Sequence, residues 1–263
     1  AEAIDSHPMT DLLIQELRGD IAVLRLNRPA KRNAINDPLI VAIRDFFREP
    51  PKGAKVVVIY GAGEHFCAGL DLSELTTRSA AETMRHSQLW HEAFHQVQFG
   101  GLPVVAAMHG AVIGGGLELA SSTHVRVAEP SCFYALPEGQ RGIFVGGGAS
   151  VRVSRLIGAG RMAEMMLTGR AYDAEAGQTL GLSHYLVGKG EAFDKAMELA
   201  ARIAKNAPMT NYAVLNALPR IADMPMAQGL FMESVVTGLV QGTDEAQERL
   251  HAFLEKRAGK VGL

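Results

Sequence analysis

Two glycine-containing loops, each lying between a strand-like and a helix-like segment, constrain the fold of this chain more than any other feature. The first runs from Gly61 to Gly69, and the second runs from Gly110 to Gly116 and contains three consecutive glycines. Glycine loses more backbone entropy on folding than other residues, so a chain with 28 glycines needs close backbone approach or unusual dihedral angles somewhere. We expect both loops to meet such a need.

Hydrophobic patterns predict alternating strands and helices in the first part of the chain. Alternating segments at 12–17 and 21–26 flank Arg18-Gly19-Asp20 and predict a β-hairpin. Further strands are predicted at 55–60, 104–108, 125–127 and 132–134, with helices at 39–48, at 80–98 and through Ser121. This alternation is typical of a layered α/β core.

After Ala149 the patterns become almost entirely helical. The predicted helices are 150–157, 161–168, 174–180, 191–206, 210–221, 226–240 and 244–257. We therefore divide the chain into a frayed N-terminal tail (1–10), an α/β core (11–190) and a C-terminal helical region (191–263). Apolar residues such as Leu230, Val235 and Leu239 occupy more than one side of their helix, so they pack either on another subunit or on the chain's own core.

Composition excludes several classes of partner. Lys and Arg number 26 against 28 Asp and Glu, so no basic excess is present to bind nucleic acid. The most apolar stretch, 102–120, contains His109, Glu118 and four glycines, which predicts no membrane span. The two cysteines, Cys67 and Cys132, are too few for a disulfide framework, and we expect a cytoplasmic protein.

The two glycine loops also predict an anion-binding site. The first amides of a helix have no intrahelical partner, so N–H groups from Gly114 to Gly116 are available to a developing negative charge. Leu70, at the end of the other loop, is placed to offer another amide. Two converging N–H groups form an oxyanion hole.

Two glutamates follow the second loop closely enough to face the same cavity. Glu118 lies in the first turn of the predicted helix, and Glu138 follows 20 residues later. A carboxylate pair in an apolar pocket suits general acid–base chemistry. The residues alone also allow a simpler interpretation, in which Glu118 stabilises its helix N-terminus and Glu138 is a surface charge.

A zinc site is the alternative from a different class of chemistry. His91-Glu92-Ala93-Phe94-His95 matches the H-E-x-x-H pattern, which places two histidines on one helical face with a glutamate available as a base. Only Glu118 and His124 are candidates for a third ligand, so we regard a surface helix as the better interpretation and predict no metal.

Several ordered segments resemble the crotonase superfamily, the enoyl-CoA hydratase and isomerase family, over nearly the whole chain. The segments that carry the resemblance are 26–34 (Leu-Asn-Arg-Pro-Ala-Lys-Arg-Asn-Ala), 65–72, 109–120, 136–148, 165–170 with 174–182, and 252–257. Their order and spacing are specific, although each one alone is not. The resemblance implies a spiral core of repeated ββα turns and a C-terminal helical region that forms a homotrimer or a dimer of trimers.

The resemblance also implies roles for single residues. The amides of Leu70 and Gly115 form the oxyanion hole for the thioester oxygen, and Glu118 and Glu138 fall on the two hydratase glutamates. The implied reaction is the reversible addition of water to a 2-enoyl-CoA, which gives a 3-hydroxyacyl-CoA. It needs no metal or redox cofactor, and coenzyme A enters as part of the substrate.

Residues 26–34, the first matching segment, imply where coenzyme A binds. Arg28, Lys31 and Arg32, beside Ala34, resemble the family's wall for the coenzyme A nucleotide, and Ala68 precedes the oxyanion loop. Lys256 or Arg257 is a further candidate from a neighbouring C-terminal tail. Solvated surface charge is the other interpretation of these basic residues.

The reaction type stays open among relatives that share one oxyanion hole. An isomerase or lyase of the same superfamily is the nearest alternative, since an isomerase needs only one base, typically at the Glu138 position. A non-catalytic acyl-CoA-binding protein is a third possibility. The helix residues Met84, His86, Leu89, Trp90 and Phe94 fall in the segment that lines the acyl pocket in this family, and their composition suggests an aromatic or branched acyl group.

Overall fold

The computed structural model describes residues 11–74 and 77–255, without the side chain of Glu74. The predicted tail 1–10 and the positions Lys256 and Arg257 lie outside the described residues. The strands of the described part are β1 (Leu13–Arg18), β2 (Ile21–Leu26), β3 (Val56–Gly61), β4 (Val104–Met108), β5 (Ala111–Ile113), β6 (Val125–Ala128), β7 (Phe133–Ala135), β8 (Tyr172–Asp173) and β9 (Tyr185–Leu186). Its helices are α1 (Asp37–Arg48), α2 (Ala80–Phe99), α3 (Gly115–Ser122), α4 (Ala149–Ile157), α5 (Ala159–Thr168), α6 (Ala174–Leu180), α7 (Ala192–Ile203), α8 (Pro208–Asn216), α9 (Leu218–Ala222), α10 (Met226–Gln241) and α11 (Asp244–Leu254).

The larger sheet has six strands in the order β1-β2-β3-β4-β6-β9. β1 and β2 form the predicted antiparallel hairpin, with Leu13 opposite Leu26. Every other neighbouring pair in this sheet is parallel. Parallel strands need a crossover between them, and the helices that follow the strands supply it.

Successive strands of the larger sheet are followed by a short extended segment in a second layer. β4 leads to β5 and then α3, and β6 leads to β7. In the second layer β5 pairs with β7 in parallel, and single parallel bridges join Cys67 to Val112 and Ile35 to Leu70. The turns of the chain therefore stack as a spiral of ββα units, which confirms the predicted α/β fold.

The larger sheet is covered on both faces. Val57 and Ile59 of β3 belong to the main core, whereas Val56 and Val58 of the same strand pack in a second cluster with α7. Burial on both sides explains why β3 is a continuous β-branched run instead of an alternating one.

The covering role of α7 also determines where the first compact unit ends. This unit extends through Ala204, and a second unit begins at Lys205. The boundary predicted at residue 190 places α7 among the C-terminal helices. That placement was wrong because Ala196, Leu199 and Ala200 of α7 are buried against the sheet.

The second unit contains α8 to α11 within the described residues. The predicted helix 210–221 divides into α8 and α9 near Pro219, whose ring and missing N–H do not allow the preceding hydrogen bonds to continue. In α10 the apolar side chains of Leu230, Phe231 and Leu239 are exposed. Among the described helices, none combines the length and apolar character required to cross a membrane.

Asn33 fixes the loop before α1 to the loop after β3. Its buried side chain accepts a hydrogen bond from the Arg28 amide at 2.9 Å and donates to the carbonyls of Ala62 at 2.9 Å and His65 at 2.7 Å. These bonds hold the start of the segment that continues to Leu70.

Replacing Asn33 with Ala should destabilise the protein. The substitution leaves the Ala62 and His65 carbonyls without their partner, and we expect the free energy of unfolding to fall by about 2–4 kcal/mol. Urea denaturation measures this value. The exposed Asn206→Ala is the control and should change stability by less than about 0.5 kcal/mol; equal losses in both variants would contradict the role of Asn33.

Candidate active site

A cavity of about 320 Å³ opens where the first glycine loop, the start of α3 and the loop after β7 meet. Of the site residues predicted from the sequence, the structure brings five together in its wall. These are Ala68, Leu70, Gly115, Glu118 and Glu138. Residues from three separate turns of the spiral therefore form one site.

Two backbone amides in this wall have no acceptor. Within residues 11–74 and 77–255, no group accepts a hydrogen bond from the amide of Leu70 or of Gly115. The Gly114 amide, in contrast, donates to the Ala135 carbonyl at 2.9 Å. The available donors are thus Leu70 and Gly115, and their role as an oxyanion hole stays a prediction.

Glycine is required in both loops that carry these donors, before Leu70 and at Gly115 itself. Gly69 has a φ of 93°, and a β-carbon there would lie 2.7 Å from the Ile113 carbonyl oxygen. A β-carbon at Gly115 would lie 2.6 Å from Cζ3 of Trp90 and 3.4 Å from the Leu70 nitrogen. Only residues without side chains allow the two loops to approach this closely.

Glu118 is a buried carboxylate held by the loop before α4. Its Oε1 accepts hydrogen bonds from the amides of Gly147 at 2.7 Å and Ala149 at 3.1 Å. Burial raises the pKa of Glu118 above the usual glutamate range, although these amides and the positive charge of Arg152 favour the ionised form. Since both bonds go to Oε1, Oε2 of Glu118 is available to another partner.

Glu138 lies at the start of a short 3-10 turn and is also buried. Burial, aided by the nearby negative charge of Glu118, raises the pKa of Glu138 to about 7, although its own backbone amide and Arg141 act to lower it. Within the described residues its Oε2 has no hydrogen-bond partner. This carboxyl group is therefore able to carry a proton near neutral pH.

Arg152 supports the loop that holds Glu118, although no motif in the sequence predicts this role. Its guanidinium donates to the Gly147 carbonyl at 3.1 Å and to Oε1 of Gln98 at 2.7 Å. The Gly147 peptide thus links Arg152 on one side to Glu118 on the other. A positive charge in the first turn of a helix is unfavourable, because the helix dipole is positive at that end. The position of Arg152 in the sequence therefore indicated that its guanidinium has a specific partner.

The predicted coenzyme-binding residues lie outside this cavity, except for Ala68. Lys31 and Arg32 are exposed, and Ala34 is buried. Arg28 is not a free surface charge, because its guanidinium donates to the Ala34 carbonyl at 2.5 Å and to Asp71 Oδ2 at 2.7 Å. The sequence shows a basic segment at 28–32, but in the folded chain the charge of Arg28 is paired with Asp71.

Asp71 anchors the loop that contains Leu70. It accepts hydrogen bonds from the Ser73 hydroxyl and amide and from Arg28, and these interactions lower the pKa of Asp71 to about 2. The carboxylate is therefore ionised at neutral pH and holds the residue that follows Leu70 in place.

The acyl-pocket residues predicted on α2 divide between the cavity and the rest of the fold. His86 and Trp90 line the cavity, together with Thr83 and Ser87. Met84 is exposed, Leu89 packs against the core and Phe94 is buried within it. The face of α2 that reaches the cavity thus combines polar side chains with the aromatic Trp90, and the suggested aromatic or branched acyl group stays a prediction.

The zinc alternative finds no support in the arrangement of side chains. No group of three His, Cys, Asp or Glu able to hold a metal occurs in the part of the chain that the structure describes. His91 and His95 are exposed on α2. The candidate third ligand His124 has both ring nitrogens engaged, with the Val104 amide and the Gln98 carbonyl.

Comparison with known proteins decides the family. A family model described as enoyl-CoA hydratase/isomerase matches residues 16–261. The chain belongs to this family. Its members form part of the crotonase superfamily, so the protein is an enzyme of that superfamily, as the resemblance in the sequence implied.

Relatives of this hydratase/isomerase family match the chain over nearly its full length. The short-chain-enoyl-CoA hydratase of Clostridium acetobutylicum is 31% identical over 93% of this chain and 95% of its own. A Rhodopseudomonas palustris structure, provisionally named an enoyl-CoA hydratase, is 53% identical, with a TM-score of 0.92 and coverage of 99% and 100%. The Bacillus anthracis enoyl-CoA hydratase structure is 29% identical, with a TM-score of 0.87 and coverage of 95% and 98%.

Loss of the Arg152 guanidinium should impair turnover more than binding. Arg152→Gln frees the Gly147 peptide and lets the Glu118 carboxylate move, so we expect kcat with an enoyl-CoA thioester to fall about tenfold to a hundredfold with little change in KM. Arg152→Lys should recover part of the rate. Arg155→Gln, an exposed arginine of the same helix, is the control; a rise in KM with kcat unchanged would contradict the positioning role.

Proposed function

We propose that the protein is an enoyl-CoA hydratase, which adds water reversibly to C3 of a 2-enoyl-CoA and forms a 3-hydroxyacyl-CoA. The observation that carries this proposal is the pair of buried glutamates, Glu118 and Glu138, in one cavity with the free amides of Leu70 and Gly115. The names of the related proteins agree with it.

The two amides would act on the thioester oxygen. When water attacks C3, negative charge moves through the conjugated system to that oxygen and gives an enolate-like transition state. The Leu70 and Gly115 N–H groups, already unpaired before substrate binds, would stabilise this charge without reorganisation.

The two glutamates would divide the proton transfers. Glu118, with its charge supported by the Gly147 and Ala149 amides, would remove a proton from the attacking water, which Glu138 also helps to hold. Glu138, with a pKa raised by burial, would deliver its proton to C2. The C3–O bond forms, the double bond is lost and the enolate returns to a thioester; the reverse steps remove water.

An isomerase of the same superfamily is the second candidate. It would move a double bond with a single base and would not need Glu118 in the cavity. The position of Glu118, with Oε2 available to a water molecule, favours the hydratase. Supplying a 3-enoyl-CoA separates the two, because only the isomerase converts it to the conjugated product.

We propose that coenzyme A binds beside residues 26–34. Lys31 and Arg32 are exposed and would contact phosphate groups, while Ala34 and Ala68 would line the path toward Leu70. Arg28 would shape this wall through Asp71 instead of binding phosphate directly. The reaction as written uses no metal and no redox cofactor.

Self-association would cover the exposed apolar side chains of α10. Leu230, Phe231 and Leu239 are each more than half exposed in the single chain. Exposed apolar surface of this kind is typical of an interface between subunits. We therefore propose a homotrimer or a dimer of trimers, and light scattering on the purified protein measures the subunit number.

The cytoplasmic location stays a prediction. Cys67 and Cys132 are both unpaired and buried, and burial raises the pKa of each thiol to about 12. They therefore serve as small packing residues, which agrees with a reducing compartment.

Each glutamate should be needed for hydration. Glu118→Gln and Glu138→Gln keep the shape of the side chain and remove the proton transfer, so we expect kcat to fall about 10²- to 10⁴-fold. The loss of enoyl absorbance of crotonyl-CoA measures the rate. The exposed Glu175→Gln is the matched control; parent rates in both site variants would show that the two-carboxylate mechanism is wrong.

The pH dependence should identify Glu138 as the acid. Its proton is lost as the pH rises through about 7, so kcat/KM for hydration should decline above that pH, while protonation of Glu118 should reduce it in acid. In Glu138→Gln the residual activity should lose the alkaline decline because glutamine does not ionise. An unchanged alkaline decline in that variant would assign it to another group.

A further inference from the structure

One face of α2 adds polar side chains to a cavity whose other lining residues include the apolar Leu72, Ile143 and Phe144. Thr83, His86, Ser87 and Trp90 occupy one face of α2, since residues three and four apart lie on the same side of a helix. Ligand pockets are mainly apolar, with a few polar groups that determine orientation and specificity. The polar groups of this wall therefore indicate that the acyl group itself carries a polar group.

Two guanidinium groups extend this polar wall. Arg78 precedes α2, and Arg141 ends the 3-10 turn that follows Glu138; both line the cavity. Guanidinium groups present a planar set of donors that matches a carboxylate, often with two parallel hydrogen bonds.

Both guanidinium groups have N–H donors that no described residue accepts from. Arg78 makes one contact, from Nη2 to Asp37 Oδ2 at 3.3 Å, and Asp37 is shared with His86 Nε2 at 2.7 Å through its other oxygen. The Arg141 side chain makes no hydrogen bond or ion pair with any described residue. An acceptor from the substrate would complete the bonding of these two arginines.

The acidic groups of the cavity have other roles in the proposed reaction. Glu118 accepts hydrogen bonds at Oε1 from the Gly147 and Ala149 amides, and its Oε2 would bind the attacking water. Glu138 lies beside Arg141 but has to carry a proton in the hydration direction, and in that state it is neutral. Arg78 and Arg141 are thus the cationic groups that the bound acyl chain meets.

We propose that the protein acts on 2-enoyl-CoA thioesters whose acyl chain ends in a carboxylate, and that Arg78 and Arg141 bind this carboxylate. The inference rests on the proposed hydratase function and names its substrate class. The coenzyme phosphates are the other source of negative charge, but the exposed Lys31 and Arg32 beside the Ala34 segment supply cations for them outside the cavity.

Two substrates of equal length test the proposal. Hex-2-enoyl-CoA ends in a methyl group, and its analogue carries a carboxylate in place of that methyl. We expect kcat/KM of the parent enzyme to be at least about tenfold higher for the carboxylate substrate, because a charged hydrogen-bonded pair replaces unpaired donors.

The arginine variants show whether that preference comes from these side chains. Arg78→Gln and Arg141→Gln should each lower kcat/KM for the carboxylate substrate about tenfold to a hundredfold, mainly through KM, and change the methyl substrate less than about twofold. Arg141→Lys should retain part of the preference, and the exposed Arg155→Gln should retain all of it.

The outcomes separate this inference from the proposed function. Hydration of hex-2-enoyl-CoA with no preference for the carboxylate analogue would overturn the inference and leave the hydratase assignment intact. Equal losses for both substrates in the arginine variants, together with weaker binding of free coenzyme A, would assign the arginines to the phosphates and also overturn it. Turnover of neither substrate by the parent enzyme would count against the hydratase function itself.

Discussion

The close contact between the two glycine-containing loops is the constraint on which the site depends. Cys67 donates its amide to the Ala111 carbonyl at 2.9 Å and accepts at its own carbonyl from Ile113 at 3.1 Å, so the loop after β3 is tied to β5. A β-carbon at Gly116 would lie 2.2 Å from the Cys67 carbonyl oxygen. Because adjacent turns of the spiral are joined this tightly, the amides of Leu70 and Gly115 lie at one wall of the cavity before any substrate is bound.

The two buried glutamates of the cavity differ in the hydrogen bonds that their carboxylates accept. Burial raises the pKa of both, but the Glu118 carboxylate accepts hydrogen bonds from the Gly147 and Ala149 amides, which favour its charged form. For Glu138 the backbone hydrogen bond that favours its charge comes from its own residue. In the proposed mechanism this difference in hydrogen bonding would separate the base from the acid, and Arg152 would maintain it by holding the Gly147 carbonyl.

Local patterns predicted most of the fold, because periodicity and glycine placement are properties of neighbouring residues. The hairpin, the buried strand β3 and the long helix α2 follow from them, and the order of the segments placed Glu118 and Glu138 near one cavity. Contacts between distant residues were not accessible in this way. Arg28 meets Asp71 and Arg152 meets Gln98 across the chain, and the burial of α7 on the second face of the sheet is not apparent from its own sequence.

The use of main-chain donors would make the proposed oxyanion hole tolerant of sequence change at Leu70. Every amino acid except proline keeps a backbone N–H, so the identity of this side chain is free to follow the shape of the acyl group while the donor stays in place. The same freedom does not extend to Gly115, where Trp90 leaves no space for a β-carbon. The substrate range can therefore change in descendants of this enzyme through side chains such as that of Leu70. The backbone donors that would stabilise negative charge stay the same.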